Sequence, residues 1–235
     1  MALSLILPCF NPQQGWERNV VNAYNAFCER IGEQAELIVV ADGVSDSVTT
    51  ASTDWLRKQI PKLQFISYAG NRGKGYAIRQ GVAQATGELL MYTDIDFPYK
   101  HESFLKIYAA LKSGNTDLAI GIRGSEYYTH LPQARVRISK ILRWFIKKFL
   151  RIPTDDTQCG LKGFNQKGKE VFLQTTINRY LFDLEFIFLA ARKKLSIKTV
   201  EVELRPEIVL SKMNWKILMQ EFGNFLKIFV RSVIG

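Results

Sequence analysis

Short apolar runs alternate with segments of helical spacing through the first half of the chain, and no other feature constrains the fold as much. The apolar runs that predict buried strands are residues 3–7, 36–41, 63–67, 88–93 and 117–121. The segments with helical spacing are residues 16–31, 47–60, 74–86 and 102–112. This alternation predicts parallel βαβ units in a doubly wound α/β sheet. Ligands on such sheets bind at the carboxyl ends of the strands, so we expect functional residues there.

The second half of the chain has a different pattern and predicts an elaboration of the same domain. Its predicted elements are a basic helix at 132–151, a glycine-bearing strand at 158–165, a helix at 181–194, a strand at 197–205 and a last helix at 213–233. No repeat or linker divides them. We therefore expect one domain over 1–212, into which the basic helix is inserted, and a terminal amphipathic helix at 213–235.

Composition excludes several classes of protein. The 235 residues are 47% apolar with 16 Gly and 7 Pro, which excludes a disordered or fibrous chain. Three scattered cysteines and two histidines argue against a disulfide framework, a Cys-rich zinc site or a His-rich metal centre, and a reducing cytoplasmic setting fits best. We expect no signal peptide and no spanning segment, because the N-terminus lacks a basic n-region and no run of about 18 apolar residues occurs. The net charge of +10 favours an anionic partner, whether nucleic acid, lipid or phosphorylated substrate.

Asp42 follows the second predicted strand and has two possible roles. Its carboxylate would accept a hydrogen bond from a nucleobase N–H at the switch point of the sheet. Alternatively, it is a turn aspartate that caps the next helix, and on this residue alone the capping role is favoured.

Residues 71–75 read Asn-Arg-Gly-Lys-Gly and open a predicted helix. The spacings of a P-loop and of G-x-G-x-x-G are both absent. Two glycines that bracket a lysine at a helix N-terminus can still approach a diphosphate closely. Gly73 and Lys74 are therefore candidates for binding a nucleotide diphosphate.

Asp94 and Asp96 come directly after the apolar run 88–93. In an extended segment alternate side chains share a face, so the two carboxylates point the same way and repel unless a cation lies between them. Hard oxygen ligands of this kind suit Mg²⁺ or Mn²⁺, with nucleotide phosphates completing the shell. The alternative is a solvated acidic loop, but the position at the end of a buried strand favours the metal.

The chain resembles a known family in several ordered motifs. The set LPCFNP, VADGVSD, NRGKG and TGELLMYTDID is similar to family 2 glycosyltransferases of the GT-A fold. The stretches DTQCGLKGF at 156–164 and FDLE at 182–185 resemble dolichyl-phosphate β-glucosyltransferases and related polyprenyl-phosphate sugar synthases. The resemblance runs from about residue 3 to about residue 213 and implies a GT-A sheet and a metal-dependent, inverting sugar transfer.

The resemblance also assigns residues to the nucleotide-sugar donor. It implies that Pro8, Asn11 and Asp42 bind the nucleoside. It implies that Asp94 and Asp96 bind the metal, which makes Asp96 part of the catalytic machinery. Asp183 is a further donor-binding candidate, with a charge pair with Glu185 at a helix N-terminus as the alternative.

Other residues are assigned to the acceptor phosphate. The resemblance implies this role for Arg123, Arg135 and Ser139, with Lys212 near the phosphates. Arg123, which matches the arginine of the family's G-S-R element, is also a catalytic candidate. Asp156 matches a residue proposed as catalytic base. A phosphate monoester has a second pKa of about 6 and needs little help from a base, so for such an acceptor Asp156 would orient the donor sugar or an arginine. A hydroxyl acceptor would instead need Asp156 or Asp183 as base.

Four departures from the family pattern stand out, one of them Arg205-Pro206-Glu207 ahead of the S-K element at 211–212. Ala41 replaces the first acid of the usual D-D-G, and Ile122 replaces the serine of G-S-R. Residues 97–99 do not follow the glucosyltransferase pattern, which leaves UDP-glucose and GDP-mannose both open as donors.

Residues 135–151 carry seven basic residues and no acidic one, with apolar residues on one helical face. This pattern is typical of an interfacial helix on anionic lipid. The terminal helix repeats it, with a core-facing helix as the alternative. We therefore expect a peripheral protein on the cytoplasmic face of the inner membrane, which uses a membrane-anchoring partner or self-association and binds no nucleic acid.

Two other functions remain open at this point. The same fold could glycosylate a hydroxyl of a polysaccharide or glycan. The chain could also be a basic, non-catalytic module that binds RNA or anionic membranes. Such a module is expected to have aromatic residues interleaved with its basic ones. Here the aromatic residues instead share an apolar stripe on one helical face.

Overall fold

The structure, a computed structural model, describes residues 2–124, 150, 152–154, 156–206, 223–226 and 228–230. The strands are β1 (Leu3–Cys9), β2 (Glu36–Asp42), β3 (Leu63–Tyr68), β4 (Leu89–Tyr92), β5 (Leu118–Arg123), β6 (Lys162–Phe164) and β7 (Ile197–Val202). The helices are α1 (Trp16–Ile31), α2 (Thr50–Gln59), α3 (Lys74–Gln84), α4 (His101–Lys112), α5 (Gln166–Phe172) and α6 (Phe182–Arg192).

The strands form one seven-stranded sheet in the order β3-β2-β1-β4-β6-β5-β7. All neighbouring strands are parallel except at β6, which runs antiparallel to both β4 and β5. The chain leaves the sheet at the carboxyl end of β5 and re-enters beside it, so β6 must run the other way. The predicted α/β fold with a mostly parallel sheet is therefore confirmed, and the return brings residues 156–162 to the edge where ligands bind.

Helices cover both faces of the sheet. On one face β1 and β2 pack against α1 and α4, whose buried side chains include Phe27 and Phe104. On the other face the sheet packs against α3, α5 and α6, with Phe172 and Phe186 among the largest buried side chains. Strands covered on both faces read as continuous apolar runs, and this explains why the central strands were predictable.

The boundaries of some elements differ from the prediction for local reasons. Helix α2 begins at Thr50 because Thr49 and Ser52 form a capping box there. Helix α5 was not predicted; it begins where the Asn165 side chain accepts a hydrogen bond from the Gly168 amide. The strand predicted at 158–165 is confined to β6, because the preceding residues wrap around the buried Lys162 ammonium.

Two predicted helices, 132–151 and 213–233, lie almost wholly outside the described residues, as do Arg135, Ser139 and Lys212. Within the second, residues 223–226 and 228–230 are helical. None of the helices in the described part of the chain is long and apolar enough to span a bilayer.

Candidate active site

A cavity of about 920 Å³ opens at the carboxyl ends of β1, β2 and β4. The predicted site residues that line it are Pro8, Asn11, Asp42, Gly73, Lys74, Asp94 and Asp96. They come from separate loops, and the parallel strands bring these loops to one edge of the sheet. The structure thus gathers most of the predicted donor-binding set around one space.

Asp94 and Lys74 both line the cavity and form an ion pair there. The Lys74 ammonium, on the first residue of α3, lies 2.5 Å from Oδ1 of Asp94. Burial by itself lowers the pKa of Lys74, but the carboxylates of Asp94, Asp183 and Asp96 outweigh it and raise that pKa above its ordinary value. Lys74 is therefore a charged group in a predominantly acidic surrounding.

Asp96 is held in place through its backbone. Its carbonyl oxygen accepts hydrogen bonds from the side chains of Asn19 at 3.1 Å and Arg205 at 2.8 Å. Burial and then the neighbouring Asp94 carboxylate raise the pKa of Asp96. The two residues lie in a turn closed by the Phe97 amide and not in the extended segment that was predicted, so the shared face expected from alternation does not apply. The repulsion between their carboxylates still favours a cation nearby.

The donor set fits a hard divalent cation. No group of three or more His, Cys, Asp or Glu side chains suited to a metal occurs in the part of the chain that is described. Mg²⁺ commonly takes one or two carboxylates and completes its shell with substrate phosphates and water. Asp94 and Asp96 supply those two carboxylates beside a cavity large enough for a nucleotide, so they are the residues that would hold the metal.

Gly73 fixes where Lys74 begins its helix. Its φ of 106° lies in a region that favours glycine, and a Cβ there would lie 2.5 Å from the Asn178 carbonyl oxygen. The Tyr76 amide donates to that same oxygen at 3.1 Å. The start of α3 is therefore wedged against the loop that precedes α6.

Asp42 organises the loop that follows β3. Its carboxylate accepts hydrogen bonds from the Tyr68 hydroxyl, the Asn71 side chain and the backbone amides of Arg72 and Gly73, at 2.7–3.1 Å. Helix α2 is capped by Thr49, so Asp42 is not its cap. Asp42 still lines the cavity, and its contact with a nucleobase stays a prediction.

Arg123 and Asp156 form a second charged cluster at the carboxyl end of β5. Nε and Nη2 of Arg123 donate to the two carboxylate oxygens of Asp156, and the Arg123 amide donates to Oδ2 at 2.8 Å. Burial raises the pKa of Asp156, but hydrogen bonds from Arg123 and its charge outweigh this and lower it below its ordinary value. Neither residue lines the cavity.

Asp183 is buried and does not line the cavity. Its carboxylate forms a buried ion pair with Lys162 at 2.6 Å and accepts a hydrogen bond from the Tyr92 hydroxyl. Lys162 also donates to the carbonyl oxygens of Thr157 and Cys159. This pair therefore links α6 to the loop that carries Asp156, and Asp183 is not among the cavity-lining residues.

The cavity residues that sequence reasoning did not assign to the site include Arg179, Tyr180 and Arg205. The first two lie in the loop before α6, which Glu185 holds by accepting hydrogen bonds from Thr176 and Ile177. Arg205 follows β7. All three come from late segments without a recognisable phosphate-binding spacing, and Arg205 stood out only as part of a departure from the family pattern.

Comparison with known proteins agrees with the family resemblance of the sequence motifs. A profile described as "Glycosyl transferase family 2" matches residues 4–175. The chain is 28% identical to a dolichyl-phosphate beta-glucosyltransferase of Drosophila melanogaster, with 100% of this chain and 76% of that protein covered. It is 27% identical to the Saccharomyces cerevisiae protein of the same name, with 85% of this chain and 66% of that protein covered. The chain thus spans about two thirds to three quarters of these relatives.

A solved structure shares the fold. Glucosyl-3-phosphoglycerate synthase from Mycobacterium tuberculosis, in complex with Mn²⁺, UDP and glucosyl-3-phosphoglycerate, superposes with a TM-score of 0.63 at 17% identity. The match covers 97% of this chain and 80% of that one. At this identity the likeness concerns the fold alone.

Proposed function

Because the chain belongs to glycosyl transferase family 2 and is a glycosyltransferase, we propose that it moves a hexose from a nucleotide-diphosphate donor to a polyprenyl phosphate. Glucose and mannose are the proposed sugars, and transfer inverts the anomeric carbon. The names of the relatives, which are dolichyl-phosphate beta-glucosyltransferases, support the lipid-phosphate acceptor.

One observation carries the donor side of this proposal: Lys74, Asp94 and Asp96 face one cavity at the carboxyl edge of the sheet. Asp94 and Asp96 would hold Mg²⁺ or Mn²⁺, which supplies Lewis-acid stabilisation of the departing diphosphate. Lys74 would donate to a diphosphate oxygen from the N-terminus of α3. Pro8, Asn11 and Asp42 would surround the nucleoside.

The Arg123–Asp156 pair supports a phosphate acceptor. Arg123 occupies both oxygens of Asp156, so this carboxylate is poorly placed to remove a proton. A phosphate monoester, with a second pKa of about 6, is already largely deprotonated at neutral pH. Asp156 would then hold Arg123 in position, and Arg123 would bind the acceptor phosphate with Arg135, Ser139 and Lys212.

The second candidate function is transfer to a hydroxyl acceptor. It requires a general base, and the candidates Asp156 and Asp183 are both engaged by cations. Arg123 binds both oxygens of Asp156. Asp183 is paired with Lys162 and does not line the cavity, so neither carboxylate is well placed to act as a base. The contacts therefore favour the phosphate acceptor.

Action at a membrane surface is part of the proposal. The seven basic residues at 135–151 and their apolar stripe would place the acceptor-binding side on anionic lipid. The proposed location is the cytoplasmic face of the membrane, with a membrane-anchoring partner or self-association.

The test is a transfer assay with purified protein. UDP-glucose, GDP-mannose and a few other donors are incubated with Mn²⁺ or Mg²⁺ and a short polyprenyl phosphate in detergent. The proposal predicts a chloroform-soluble, acid-labile sugar product that disappears with EDTA. Donor hydrolysis without a lipid product would contradict the proposed acceptor and leave the donor site standing.

A further inference from the structure

We propose that Lys74 is an internal counter-ion for the metal-binding carboxylates, so that a divalent cation and the donor's diphosphate bind strongly only together. This inference rests on the proposed function, because it takes Asp94 and Asp96 as the metal ligands. It also states when the ion pair breaks: the Lys74 ammonium neutralises Asp94 until a bound diphosphate accepts the ammonium instead.

The backbone on both sides fixes the contact between the two residues. Gly73 packs closely against the backbone of Asn178, and this contact fixes the start of α3 and the position of Lys74. On the other side, the Phe97 amide donates to the Asp94 carbonyl oxygen at 3.0 Å, in a turn closed by the positive φ of Phe97. The 2.5 Å ion pair therefore follows from the fold of both segments.

Gly160 leaves space beside the other oxygen of Asp94, which a larger residue would fill. A Cβ at Gly160 would lie 2.7 Å from Oδ2 of Asp94 and 3.6 Å from the Lys74 ammonium nitrogen. The Gly160 amide is held by the Tyr99 hydroxyl at 2.8 Å, so the loop keeps this position. Oδ1 is thus held by Lys74, and a cation that binds this oxygen must compete with the ammonium.

Charge balance gives the reason for coupled binding. Among the described residues, Lys162 is paired with Asp183, and Lys74 is the ammonium that forms an ion pair with Asp94. A divalent cation that arrives alone is placed beside this ammonium and is repelled by it. A diphosphate that arrives with the cation accepts the ammonium and offers oxygens to the metal, so each ligand strengthens the binding of the other.

The side chains leave room for this exchange. The Asp94 side chain is 40% exposed and that of Lys74 is 23% exposed, and both line the cavity. A lysine ammonium is a compact charge on a flexible stem, so it can move to a nearby phosphate oxygen without a change of the backbone. An arginine at this position would keep the charge and hence the competition with the metal.

The test measures binding without turnover. Calorimetric titration gives the affinity of the full chain for Mn²⁺ alone, for UDP and GDP alone, and for each in the presence of the other. The wild-type chain is expected to bind Mn²⁺ weakly by itself and about 5- to 150-fold more tightly with the matching nucleoside diphosphate, the usual range for coupled sites. Lys74→Met should tighten Mn²⁺ binding in the absence of nucleotide by about tenfold and shrink the coupling.

Two variants serve as controls. Lys74→Arg should keep the weak binding of Mn²⁺ alone, and Lys58→Met, at an exposed position of α2, should behave as wild type. Circular dichroism checks that each variant is folded. Mn²⁺ binding that is unchanged or weaker in folded Lys74→Met would overturn the inference.

The outcomes also separate this inference from the proposed function. If the wild-type chain binds Mn²⁺ and nucleotide independently, the donor site stands and the counter-ion role is wrong. If it binds neither ligand in any combination, both are wrong.

Discussion

The guanidinium of Arg123 engages both carboxylate oxygens of Asp156, with Nε 2.9 Å from Oδ2 and Nη2 2.5 Å from Oδ1. The carboxylate is buried, so removal of either partner would leave a buried charge without its counter-ion. A carboxylate bound in this way orients an arginine better than it accepts a proton. It is the contact on which the choice between a phosphate and a hydroxyl acceptor depends.

The pH dependence of transfer should carry no sign of Asp156 as a base. Arg123 lowers the pKa of Asp156, so the carboxylate stays ionised throughout the range in which the enzyme is assayed. We expect the acid limb of kcat/KM to follow the acceptor phosphate, near pH 6. Asp156→Asn should lower the rate and keep the midpoint of that limb. A limb that is present in the wild type and absent in Asp156→Asn would make Asp156 a base.

The ion pair of Arg123 and Asp156 should make the free energy of unfolding depend on pH. Because the pKa of Asp156 is lower in the folded chain than its unfolded value of about 3.9, its stabilising effect is present above that pH and is lost as the pH falls through the folded pKa. Urea unfolding at pH 7 should show Asp156→Asn destabilised by about 3 kcal/mol. Below about pH 4 the difference should shrink. A difference that does not change with pH would contradict the assignment.

The buried pair of Lys162 and Asp183 should be costly to break on one side. Lys162→Met leaves Asp183 buried without its cation, and we expect a loss of about 3–5 kcal/mol in the free energy of unfolding. The double variant Lys162→Met/Asp183→Leu should recover part of this loss, since it removes both charges. Denaturant midpoints measure the effect, with Lys58→Met as the matched lysine control. A single variant as mild as the control would show that the pair is not holding the loop.

Gly160 should be required for the donor site more than for the fold. An alanine Cβ there would lie 2.7 Å from Oδ2 of Asp94, so the carboxylate or the loop must shift. A displacement of about 1 Å at such a site can cost up to about 100-fold in rate. Gly70→Ala is the matched control, because a Cβ at Gly70 meets nothing within 4 Å. Comparable Mn²⁺–nucleotide affinity and transfer rates in the two variants would contradict the geometry.

Neutral substitutes for the acidic pair should remove metal-dependent transfer. Asp94→Asn and Asp96→Asn keep the size of the side chains and remove the charge that a divalent cation needs. If the metal contributes about 4 kcal/mol to the transition state, each variant should lose about 10³-fold in kcat. Donor turnover with and without EDTA measures this. Turnover that is equally sensitive to EDTA in wild type and both variants would place the metal elsewhere.

The sequence was most informative where burial is two-sided. The runs that became β1, β2 and β4 are apolar throughout because helices cover both faces of the sheet, and this pattern predicts parallel strands. The strand predicted at 158–165 was too long, and the antiparallel direction of β6 could not be predicted, since three residues carry no period that indicates which way a strand pairs.

The site was predictable where chemistry follows a strand end. Asp94 and Asp96 lie beyond β4, where the switch-point rule predicts ligand-binding residues, and both line the cavity. Arg179 and Arg205 reach the same cavity from late segments of the chain, and only tertiary packing brings them there. The hydrogen bonds that Asp42 receives from residues 68–73 likewise depend on how two loops meet in space.

The central claim is that the acceptor is a lipid phosphate, and a comparison of two acceptors tests it most directly. The donor found in the transfer assay is offered with a polyprenyl phosphate and, separately, with the free polyprenol of the same chain length. We expect sugar transfer to the phosphate alone, with a phosphodiester product identified by mass spectrometry. Equal transfer to the polyprenol, or transfer only to it, would contradict the account and make a general base necessary.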